Sequence, residues 1–175
     1  MKYKFCYIYW VFATSCLLLC LGSLANAQSK SPDKIVNQKE KHVVKLAKGT
    51  FEVKMAPQTD DKVGDPTVGR MSLDKSFSGV IEGTSKGQML AVRSEVEGSA
   101  GYVAMERVTG TLDGKKGTFA LQHTGTMNRG NPSLNITVVP DSGTGELTGL
   151  SGKMTIKIED EKHFYDFEYT LPGIK

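Results

Sequence analysis

What this 175-residue chain lacks narrows it first. Its three cysteines, Cys6, Cys16 and Cys20, all stand near the N-terminus. The rest has no thiol, so disulfides, thiolate catalysis and cysteine-ligated zinc are excluded there. Such a domain must hold together by packing alone, for which about 100–150 residues suffice. Long helical periodicity is missing. No GxSxG elbow occurs, and nothing orders Ser, His and Asp residues into a triad. Gly143-Thr144-Gly145-Glu146-Leu147-Thr148-Gly149 fails the GxGxxG spacing, and no GK[ST] is present, so no nucleotide site is expected. A large net charge is missing too. The formal charge is +3, and Lys2 and Lys4 account for two of it, leaving about +1 beyond the first 27 residues. No nucleic-acid partner follows from that balance.

What is present begins with a leader. Residues 1–27 have a basic start, an apolar run and then Ala25-Asn26-Ala27, the pattern of a signal peptide cleaved after Ala27. The expected location is therefore outside the cytoplasm, periplasmic or secreted. Phe5 to Ala25 runs for 21 residues, long enough to stay as an uncleaved anchor, which is the alternative and the one expected route to a membrane. A lipoprotein site is weaker, because Leu19 precedes Cys20 where a small residue is wanted. Residues 28–48 are polar and lysine-rich and read as a flexible tether that contains His42.

From Gly49 to Lys175 the chain reads as one domain of short strands. Phe51, Val53 and Met55 alternate with polar residues, as do Met71 and Leu73, then Leu134, Ile136 and Val138, and most clearly Met154, Ile156 and Ile158. His163, Tyr165, Phe167, Tyr169 and Leu171 share one face of the last strand. Pro57 to Gly69 and Asn128 to Pro132 read as loops, and Glu146 to Leu150 as the start of a strand. Residues 79–87 are strand-like but interrupted by glycine, a mark of bending. The facing of Met89 to Ser94 is open. Regular short strands joined by turn signals predict an antiparallel sandwich or barrel, and closure, which removes edges, favours the barrel.

The central stretch is Gly101 to Met127, two alternating runs around Asp113-Gly114 and hence a β-hairpin. A four-residue loop sets Leu112 opposite Gly117, Glu106 opposite His123 and Tyr102 opposite Met127. The shared face is then apolar except for Glu106 and His123, which are expected to meet inside. They are the candidate catalytic pair, with the carboxylate orienting the imidazole. The plain alternative is a buried pair that fixes register. Tyr102, Tyr165 and Tyr169 join them as candidate ligand-binding residues, since aromatic rings with a few polar groups suit a small molecule. The alternative is that they are core. His163 has no metal-ligand spacing to His123. No metal and no cofactor are expected.

Six blocks carry a resemblance: Gly49–Met55, Phe77–Leu90, Gly98–Leu112, Gly117–Gly130, Val138–Gly152 and His163–Pro172. They resemble DUF3224, a bacterial family of small proteins classed as a domain of unknown function. That family is similar in fold to the allene oxide cyclase barrel. The resemblance implies a closed antiparallel barrel of about eight strands and no particular chemistry, because function does not follow from fold. The leading expectation is a binding module for a small, mainly apolar molecule inside the barrel. The alternatives are an isomerase or lyase-like enzyme using Glu106 and His123, and an interaction protein acting through its loops.

Overall fold

The structure, a computed structural model, describes residues 43–58, 65 and 67–173. The leader, His42, most of the tether and most of the loop after Pro57 lie outside those residues. Eight strands follow in order: β1 (Lys45–Pro57), β2 (Gly69–Gly79), β3 (Ile81–Arg93), β4 (Ala100–Leu112), β5 (Lys115–Asn128), β6 (Asn131–Val138), β7 (Ser151–Glu159) and β8 (Lys162–Thr170). Each pairs antiparallel with its neighbours, and β8 pairs with β1 to close the barrel.

The alternation seen in the sequence becomes the inside and outside of this wall, because successive side chains of a strand point to opposite faces. Phe51, Phe77, Val108, Phe119, Leu121 and Phe167 fill the interior. Phe119 and Phe167 stack with their centroids 5.8 Å apart. The strand ends at Ala47, Ile81, Leu112 and Val138 mark the closed end, which residues 139–150 plug. This segment contains a short 3-10 turn, Gly145–Leu147, where the sequence suggested the start of a strand. The reason is packing: Leu147 and Leu150, one such turn apart, both bury their side chains in the barrel end.

Three further expectations change. β1 begins at Lys45, inside the stretch read as tether, because Ala47 is fully buried and Lys45–Phe51 pair with β8. The turn between β5 and β6 is only Arg129-Gly130, so Asn128–Pro132 is mostly strand. The β4–β5 hairpin has a two-residue turn, Asp113-Gly114, with φ of 52° and 75°. Positive φ at both central residues is the turn whose twist matches the flanking strands. Leu112 therefore faces Lys115, Glu106 faces Leu121 and Tyr102 faces Gly125. The pairing differs from the expected one by two residues, an even number, so every side chain keeps its expected face.

The barrel is less complete at the other end. β6 pairs with β7 only at Ile136↔Met154 and Thr137↔Lys153 among the described residues. Above that point the two strands part. Leu134 and Ile158 share the interior-facing parity yet are exposed at this mouth.

Candidate functional site

Glu106 is the hub. It alternates along β4 with Ala104 and Val108, both buried, so its carboxylate points into the barrel. One residue from each of three other strands reaches it. Lys75 of β2 donates to Oε1 at 2.8 Å, and Ser85 of β3 donates to Oε2 at 2.5 Å. Nε2 of His123 on β5 lies 2.9 Å from Oε1. An ionised carboxylate only accepts, so that nitrogen carries the proton. Exposure is 4 % for Lys75, 1 % for Ser85, 2 % for Glu106 and 3 % for His123. The Lys75 ammonium also sits 4.8 Å from the centroid of the Phe51 ring, an additional favourable contact for a buried cation.

Burial alone would raise the Glu106 carboxyl. The His123 hydrogen bond, the Lys75 charge and the Ser85 hydroxyl outweigh it and hold the group at about 2. A glycine makes the crowding feasible. Gly87 faces Glu106 across β3 and β4, and a Cβ on it would lie 2.6 Å from the Glu106 Cβ.

The sequence brought Glu106 and His123 together correctly but missed Lys75 and Ser85. Lys75 had a visible signal, the inward position between Leu73 and Phe77. Ser85 shares a face with Ile81, yet the glycines around it hid that facing.

The three tyrosines divide. Tyr165 is buried, and its hydroxyl accepts the Ile81 N–H at 2.8 Å. The Tyr169 hydroxyl donates to Asp113 Oδ2 at 3.3 Å. Both rings are buried, with the Tyr165 hydroxyl bonded to the β3 backbone and the Tyr169 hydroxyl to the exposed β4–β5 turn. Tyr102 lies nearer the mouth, with its ring over Gly125. Burial and the Glu106 charge raise its hydroxyl pKa. It lines a cavity of about 420 Å³ with Met89, Ala91, Met127, Leu134 and Ile158, and Arg93 is the charged residue of the lining. Tyr102 thus stands between this apolar hollow and the buried charges. A second hollow of about 650 Å³ beside the β7–β8 turn includes His163, which packs against Phe51 with centroids 4.9 Å apart. No group of three or more His, Cys, Asp or Glu side chains suited to a metal ion occurs among the described residues.

No curated protein matches the chain. The family model described as "Protein of unknown function (DUF3224)" matches residues 47–169. A solved structure of a protein with unknown function from the DUF3224 family of Shewanella oneidensis MR-1 is 46 % identical, with a TM-score of 0.68. The match covers 74 % of this chain and 98 % of that one. With the whole barrel matched both in sequence and in shape, this chain belongs to the DUF3224 family.

Proposed function

We propose that the protein binds a small, mainly apolar molecule in the mouth of its barrel. The observation that carries this reading is the cavity of about 420 Å³, lined largely by apolar side chains together with Tyr102. That is the size and character of an ordinary small-molecule site. Tyr102 is the group in place to orient a bound molecule. Native mass spectrometry of the purified protein, with displacement of the apolar dye anilinonaphthalene sulfonate, tests the proposal. A retained molecule or a displaceable dye is expected, and both are lost in Ala91→Trp, which fills the mouth. A protein that carries nothing and takes up no dye refutes it.

An isomerase or lyase-like activity is the second reading, favoured by the direct contact of His123 with Glu106. The carboxylate is a weak candidate for the base, since three donors hold it at about 2, whereas proton transfer works best with a group matched to the working pH. A bell-shaped pH–rate profile that disappears in His123→Ala would support it. A role through the loops loses ground with Asn128–Pro132, where only Arg129-Gly130 is turn.

We also read the barrel as allene oxide cyclase-like, on the six blocks of sequence and the closed antiparallel strand order. Export to the periplasm or the medium rests on residues 1–27. N-terminal sequencing of the protein from its host is expected to begin at Gln28, and an intact Met1 with the protein retained in the membrane would favour the anchor.

A further inference from the structure

The outer wall of the barrel is not uniform. The outward positions of β1, β7 and β8 carry charges such as Lys54, Lys153, Lys157, Asp166 and Glu168. On β3 and β4 the outward positions instead hold Leu90, Val92, Val103 and Met105, with Val68 beside them just before β2. Leu90 and Val103 are paired across the ladder and are 45 % and 53 % exposed. These side chains border shallow hollows of about 550 Å³ and 400 Å³ on the outside of the wall. A contiguous exposed apolar patch of this kind on a folded domain marks a contact surface.

The charges at its two ends indicate what covers it. Lys86 and Arg107, a cross-strand pair, lie at one end, where Lys86 also stands 3.7 Å from Asp74 in an exposed ion pair. Glu95 and Glu97, in the exposed connection from β3 to β4, lie at the other. Arg107 is four residues from Val103 along β4, about 13 Å, and the acidic end lies past Arg93, where β3 stops three residues beyond Leu90. A two-fold axis crossing the strands at the middle of the patch would lay two patches face to face with their strands antiparallel. It would set the acids of each copy against the bases of the other. A surface of this kind is complementary to itself, as a two-fold contact requires. Twisted sheets also pack face to face in an aligned way.

We infer that the outer face of β3 and β4 is the contact of a homodimer, centred on Leu90 and Val103, with Lys86 and Arg107 of one copy facing Glu95 and Glu97 of the other. The contact uses the outside of the wall, so it is independent of the ligand reading.

Light scattering of the full chain, with far-UV circular dichroism as the check on folding, tests it. The wild type is expected to be dimeric and Val103→Lys monomeric with an unchanged β-sheet spectrum. Reversing the bases (Lys86→Glu with Arg107→Glu) or the acids (Glu95→Lys with Glu97→Lys) weakens association by about tenfold or more, and combining both reversals restores it. A monomeric wild type at high micromolar concentration, or a dimer indifferent to Val103→Lys, overturns the inference. Reversals that do not rescue each other overturn the antiparallel seating.

Discussion

At the scale of residues, the buried ion cluster has consequences for stability that can be separated from any role in binding. Glu106→Gln leaves the Lys75 ammonium enclosed without its counter-charge. The expected loss is about 3–5 kcal/mol, measured by denaturant unfolding. Lys75→Met with Glu106→Leu removes both charges and is expected to recover part of that loss, the remainder reflecting the buried Ser85 hydroxyl and His123 N–H left without an acceptor. A double variant as damaged as the single one would mean that the cluster does more than balance itself. The carboxyl also sets an acid limit. It titrates near 4.5 when unfolded and at about 2 in the barrel. Its contribution is therefore complete above pH 4.5 and is lost as the pH falls towards 2. The shift corresponds to about 3 kcal/mol, and Glu106→Gln should lack that acid-dependent fall.

Lys75 and Ser85 also show why half of the cluster escaped the sequence. Glu106 and His123 stood on two strands of one hairpin, so a local pairing rule brought them together. Lys75 and Ser85 arrive from strands whose place beside β4 depends on the order of the whole sheet. A lysine in an alternating strand normally signals the outer face. Here it faces inward because a carboxylate two strands away receives it.

Among the elements, close approach of β3 and β4 is what lets the cluster form. A Cβ on Gly87 would meet the Met105 carbonyl oxygen at 2.3 Å as well as the Glu106 Cβ. Gly87→Ala is thus expected to cost about 1–3 kcal/mol through overpacking, seen as a lowered unfolding midpoint. An unchanged midpoint would show that the two strands are free to move apart. The hairpin itself illustrates how a turn governs register. Asp113-Gly114 was legible as a turn signal, but its length was not. Counting four residues instead of two moved each pairing by one full pleat repeat, which exchanges partners and leaves faces untouched. Glu106 and His123 consequently meet as diagonal neighbours rather than directly opposed ones.

For the molecule as a whole, the barrel has a packed end and an open one. Amides of Phe119, Leu121 and Phe167, deep in the core, are expected to exchange hydrogen only by global unfolding. Those amides of residues 131–135 that point away from β5 have no ladder partner on β7 and are expected to exchange orders of magnitude faster. Uniform protection across β6 would mean that the mouth closes in solution.

The sequence by itself determined the strand alternation, the inward face of the central hairpin and the meeting of Glu106 with His123, and it narrowed the architecture to an antiparallel sandwich or barrel. All of these follow from local periodicity and turn chemistry, which neighbouring residues specify. Only the tertiary structure decided that β8 closes on β1, which charge balances Glu106, which tyrosine borders the mouth cavity, and where the wall parts. Those depend on strands distant in the chain being brought side by side, and a pattern of alternating polarity holds no record of which strand will lie next to which.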